Sequence, residues 1–69
     1  MKISARNRFA GTITQVKKGA VMAQVAVDIG GGNIVTSSIT NEAVDELGIK
    51  AGGKATVVVK ASDVMIAVD

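Results

Sequence analysis

The sequence predicts an all-β chain with one short helix, its strands closing into a small five-stranded barrel. Three observations carry that expectation. Apolar residues alternate with polar ones from Val21 to Ile29, glycine and lysine turn signals punctuate the chain, and one capped amphipathic stretch from Thr40 to Gly48 interrupts the strand-like segments. With 69 residues the chain makes one domain, residues 1–69, and buries a modest share of its surface on folding.

The elements follow in order. Phe9 to Val16 mixes Thr12 and Thr14 with Ile13 and Val16, and the Lys17-Lys18-Gly19 turn joins it as a hairpin to the next strand. In that second strand Val21, Ala23, Val25, Val27 and Ile29 fall on one face, with Gln24 and Asp28 on the other. Gly30-Gly31-Gly32-Asn33 supplies a tight turn into a third strand from Ile34 to Ile39. Thr40 or Asn41 caps a short helix, acidic residues open it, Gly48 stops it, and Ala43, Val44 and Leu47 form its apolar face. After Gly52-Gly53 a fourth strand spans Ala55 to Ala61. Its Val57-Val58-Val59 run makes both faces apolar, one toward the chain's own core and one toward a neighbouring subunit. A fifth strand covers Val64 to Val68. Hairpin strands with one small helix before the fourth describe a barrel of the oligonucleotide/oligosaccharide-binding (OB-like) type.

Composition narrows the function classes. There is no histidine and no cysteine, so nucleophilic or metal-ligand chemistry has few residues to use, and no metal is expected as a direct partner of side chains. Phe9 is the one aromatic, and neither a disulfide nor a zinc site is available to reinforce a thin core of valine, alanine and isoleucine. Stability is therefore expected from association with further copies. The net charge of +2 is too mild to indicate a nucleic-acid partner, though it suits a small anion. No apolar run approaches the roughly 20 residues that span a bilayer, and no secretory leader is visible, so the expected location is cytoplasmic without a membrane partner.

Two motifs carry the chemistry. Ser4-Ala5-Arg6-Asn7 offers a hydroxyl, a guanidinium and the amides between them, with Ala5 leaving the backbone open to approach; a tetrahedral oxyanion needs such converging donors. The plain alternative is a solvated chain terminus. Lys60-Ala61-Ser62 adds an ammonium and a second hydroxyl at the exit of an apolar strand, where the competing reading is a lysine that covers apolar surface with its stem. Thr40 stands at a helix start as a third donor, or serves only as that helix's cap. Gly30-Gly31-Gly32 lacks the Gly-Lys-Ser/Thr continuation of a phosphate loop and reads as a hairpin turn. The carboxylates Asp28, Glu42, Asp45, Glu46, Asp63 and Asp69 show no metal-loop spacing.

Taken with Gly11-Thr12-Ile13, Val25 to Ile29, Thr36 to Thr40 and Leu47-Gly48, these motifs resemble the molybdate-binding Mop domain, the molbindin family, over the whole chain. The resemblance implies a barrel with this small helix, a hexamer arranged as a trimer of dimers, and oxyanions held non-covalently at subunit interfaces. It further implies that molybdate or tungstate is bound for intracellular storage or molybdenum homeostasis, with no organic cofactor. Carried over by position, Ser4, Ala5 and Arg6 of one subunit meet Thr40 and Lys60 of another, and Ala61 and Ser62 flank the lysine. In the family a serine can stand three residues past the threonine; here that position is Ala43.

Two rival classes are weighed against this. A single-strand nucleic-acid barrel stacks bases on aromatic side chains, and Phe9 alone makes no such platform. A swapped-hairpin DNA-binding dimer of the transition-state-regulator kind is suggested by Leu47-Gly48-Ile49-Lys50-Ala51-Gly52-Gly53-Lys54, but Ser37-Ser38-Ile39-Thr40 stands where its basic segment belongs. An enzyme is not expected, since no base stands beside a nucleophile at a recognisable spacing. Sedimentation at micromolar concentration is expected to give a multimer, and a stably folded monomer would contradict the inferred need for neighbouring copies.

Overall fold

A computed structural model describes all residues, 1–69. Four strands form one antiparallel sheet: β1 (Asn7–Lys18), β2 (Met22–Gly30), β3 (Asn33–Thr40) and β4 (Lys54–Val59), with helix α1 (Asn41–Leu47) between β3 and β4. The spatial order is β3-β2-β1-β4. The sheet curls into a half-barrel whose β3 and β4 edges have no strand partner within the chain.

β1 is longer than its hydrophobic pattern predicts because it serves two partners in succession. Asn7 to Thr12 pairs with Lys54 to Val59 of β4, and Thr12 to Lys18 pairs with Ala23 to Asp28 of β2. The changeover carries a register irregularity between Ile13 and Gln15. There the Ile13 backbone turns to the loop before β4, donating to the Gly53 carbonyl and accepting from the Gly52 amide, each at 2.8 Å. Such an irregularity bends a strand and lets a sheet curl. Gly11 sits at the same corner. A Cβ there would lie 2.5 Å from the Asp28 carbonyl oxygen and 2.8 Å from Val27 Cγ1, so only a glycine lets β2 come so near.

The alternation read from β2 holds where the chain has something to cover it. Ala23, Val25 and Val27 are buried with Ile13 and Val44, and these five side chains are the whole core. Val21 precedes the strand and stays exposed. At the end of β2 three consecutive glycines, Gly30 to Gly32, adopt positive φ, which side-chain-bearing residues rarely take, and the turn is pinned by Asp28 Oδ1 accepting from the Gly30 amide at 2.8 Å. α1 begins as the sequence indicates: Thr40 Oγ1 accepts from the Ala43 amide at 3.0 Å, and Gly48 ends the helix in the left-handed region at φ 64°. Val44 fills the core, but Leu47, expected on the same apolar face, is 70% exposed, because no strand covers that side of the half-barrel.

Two expectations are corrected. The fourth strand stops at Val59 rather than Ala61, since Ala61–Asp63 winds into a single 3-10 turn closed by the Asp63 amide on the Lys60 carbonyl at 2.8 Å. The fifth strand over Val64 to Val68 does not form within the chain. A strand exists only through hydrogen bonds to a neighbouring strand, this segment has only the local bond from the Val64 amide to the Ala61 carbonyl at 3.2 Å, and Met65, Ile66 and Val68 are 93, 85 and 91% exposed. The mostly-β class with one short helix stands, as a four-stranded half-barrel rather than a closed five-stranded barrel.

The chain exposes 5367 Å². A compact monomer of its 7.0 kDa mass exposes about 4,000 Å². Exposed large apolar side chains, among them Val21, Ile34, Leu47, Met65 and Ile66, contribute to the surplus. Because Gly11 faces backbone rather than a movable side-chain tip, Gly11→Ala is expected to cost about 1–3 kcal/mol. Urea unfolding at fixed protein concentration measures this, and an unchanged midpoint would show that the corner tolerates a side chain.

Candidate functional site

The first and last sequence motifs meet at one end of the β1–β4 ladder. Its terminal rung pairs Asn7 with Val59, so Arg6 and Lys60 are the residues that leave that rung on either strand. Antiparallel neighbours lie about 4.5–5.5 Å apart at Cα, so the two motifs leave the ladder from one rung although 52 positions separate Asn7 from Val59. The Asn7 side-chain amide donates to the Val59 carbonyl at 3.2 Å and ties the two segments. Ser4, Arg6, Lys60 and Ser62 are exposed, while Ala5 is half-buried.

Electrostatically this end is open to an anion. The one ion pair in the chain joins Lys18 Nζ to Asp45 Oδ1 at 2.7 Å, at the opposite end of β1. Arg6 and Lys60 have no carboxylate partner, and no side-chain hydrogen bond engages Ser4, Arg6, Lys60 or Ser62. Two cations near one rung repel each other unless a negative group lies between or beside them. None of these donors is committed to a side-chain partner.

Thr40 is placed differently. It ends edge strand β3, paired with Met22 of β2, and its hydroxyl oxygen is the acceptor that caps α1. Capping uses a lone pair and leaves the hydroxyl proton free to donate, so the cap role is compatible with contact to an anion. No hydrogen bond joins Thr40 to Ser4, Arg6 or Lys60. An apolar cleft of about 200 Å³ separates the two edges, lined by Ser37 and Ile39 of β3, Thr56 to Val58 of β4, and Leu47. None of the chain's cavities is lined by Ser4, Arg6, Thr40 or Lys60. The single chain thus presents the candidate donors without enclosing a space among them.

The remaining features take their plain readings. The triple-glycine turn is held by its own Asp28 and Asn33, the latter donating to the Gly30 carbonyl at 3.1 Å. Lys54 Nζ donates to Thr12 Oγ1 at 3.0 Å across the β1–β4 pair. Asn7 is the residue that the sequence motif contained but whose role only pairing discloses, since its partner Val59 lies near the other end of the chain.

Comparison with known proteins agrees with this architecture. Residues 3–66 match the TOBE domain model. The chain is 52% identical over 66 residues to molybdenum-pterin-binding protein 2 of Clostridium pasteurianum, covering 96% of this chain and 97% of that one. It is 44% identical over 69 residues to a probable molybdenum-pterin-binding protein of Haemophilus influenzae, with both chains fully covered. Among solved structures, MopII from Clostridium pasteurianum superposes with a TM-score of 0.90 at 49% identity, covering 97% of this chain and all of that one. ModG, described as a cytoplasmic molybdate-binding protein and solved with molybdate bound, superposes with a TM-score of 0.90 at 46% identity over 94% of this chain and 46% of its own. The chain belongs to the TOBE domain family, among its short molybdenum-pterin-binding (Mop) members.

Proposed function

We propose that the protein binds molybdate reversibly, in pockets completed where copies of the chain meet. The observation that supports this reading is the pairing of Asn7 with Val59, which sets Arg6 and Lys60 one residue beyond the last rung of β1 and β4, neither of them in an ion pair. The names of the relatives and the molybdate held by ModG support the choice of anion. In a twofold contact, the Ser4-Ala5-Arg6 segment of one copy faces Thr40 and Lys60 of the other, and the reciprocal contact makes a second pocket. Ala61 and Ser62 border the lysine, and Ala43 contributes no side-chain donor where a serine would. The open edges, the exposed Leu47 and the exposed C-terminal segment supply the apolar surface for a homo-oligomer, with the hexameric trimer of dimers as its proposed form.

Selectivity follows from protonation. Molybdate is a fully deprotonated dianion at neutral pH, so a pocket of donors alone suits it. Phosphate retains a proton that would face a donor, and is disfavoured. Tungstate has nearly the same size and charge and binds as well in this account, whereas sulfate is separated by cavity size. Charge-assisted hydrogen bonds of about 1.5–3 kcal/mol each hold the ion without a covalent bond, which fits storage and release in molybdenum homeostasis. The relatives' names also include a pterin. A pterin ring asks for flat stacking faces, and Phe9 is the sole aromatic, so the reading rests on the oxyanion.

Arg6→Ala and Lys60→Ala are each expected to weaken molybdate binding at least tenfold, about the free energy of one charge-assisted hydrogen bond, while the assembly persists. Calorimetry with molybdate on both variants, beside their native masses, measures this. Unchanged affinity in both would remove the proposed pocket.

A further inference from the structure

The terminal rung of the β1–β4 ladder bears more than its two backbones can hold alone. End rungs fray because water competes for their hydrogen bonds, and here the residues just beyond the rung are Arg6 and Lys60, two cations without carboxylate partners. One side chain opposes that tendency. Asn7 is half-buried, and its amide donates to the carbonyl of Val59, the last residue of β4. Immediately past Val59 the backbone leaves the ladder and turns into the Ala61–Asp63 coil. The Asn7 bond therefore sits at the point where the lysine segment diverges from the arginine segment. No other side-chain hydrogen bond links residues 1–7 to the rest of the chain.

We propose that Asn7 is a positioning residue for the oxyanion pockets: its hydrogen bond to Val59 holds the Ser4-Ala5-Arg6 segment and Lys60 of one chain in place before the anion arrives, so that each reaches its own pocket against a neighbouring copy. The inference rests on the reading of those donors as the molybdate site. Pre-set placement spares the anion the cost of ordering two loose segments, so losing the bond weakens binding although Asn7 itself touches no ligand. Alanine removes the donor. Aspartate keeps the shape, removes the donor and adds a negative charge beside the pocket, so its effect is larger.

The test compares full-length wild type, Asn7→Ala, Asn7→Asp and a control, Thr14→Ala. The control deletes a similar side-chain bond, from Thr14 Oγ1 to the Ala26 carbonyl at 3.3 Å, on the β1–β2 part of the sheet. Molybdate calorimetry and thermal unfolding of the anion-free protein are measured for each. Asn7→Ala is expected to lose about five- to tenfold in affinity, the size of one hydrogen bond, with Asn7→Asp weaker still. Thr14→Ala is expected to keep wild-type affinity at a comparable drop in melting temperature. Equal affinity of Asn7→Ala and Thr14→Ala overturns the proposal while leaving the molybdate site intact, whereas a wild type that binds no molybdate overturns the site itself. Should Asn7→Ala fail to assemble, hydrogen exchange of the Asn7 side-chain amide in the anion-free wild type decides: an amide already protected before molybdate is added supports the pre-set bond, and one protected only on molybdate saturation refutes it.

Discussion

Everything in this fold is arranged around β1, a strand that gives its first half to β4 and its second half to β2. That division requires a bend midway, and the bend requires Gly11, where the Asp28 carbonyl and Val27 leave no room for a side chain. One consequence is structural: the sheet curls, and Ile13 at the corner becomes the most fully buried large side chain. The other is chemical. Because β1 begins opposite the end of β4, the two donor motifs, nearly the whole chain apart in sequence, emerge from one rung.

The same arrangement leaves the work of closure unfinished. A strand split between two partners leaves β3 and β4 as open edges, and only five side chains are fully buried. Exposed strand edges and apolar surface of this extent are normally covered. In the proposed assembly, the covering that stabilises the sheet also brings Thr40 of one copy toward the rung of another. Folding and anion binding then share one interface, so the bound dianion itself adds stability by binding only the assembled form.

Local signals in the sequence were sufficient for the features that depend on local physics. The β2 alternation marked Ala23, Val25 and Val27 as core, the Thr40 cap and Gly48 stop bounded α1, and the triple glycine marked its turn. Features that depend on distant partners were not legible. The full length of β1 follows from its pairing with β4, and the end of β4 at Val59 follows from a coil that the Val57-Val58-Val59 run does not announce. Val64 to Val68 reads as a strand because its composition suits one, yet a strand needs a neighbour that the single chain does not provide. Ser4, Arg6, Lys60 and Thr40 are candidates by residue type and by family resemblance alone. The bond that joins two of the motifs, from Asn7 to Val59, is a property of register and is invisible until the strands are paired.

The central claim is that donors from different copies complete each pocket. Equilibrium dialysis with labelled molybdate, run over protein concentrations that span dissociation of the multimer, tests it most directly. The account predicts that retained molybdate per chain rises with the multimer fraction and vanishes in the monomer. Equal retention by dissociated chains would contradict it.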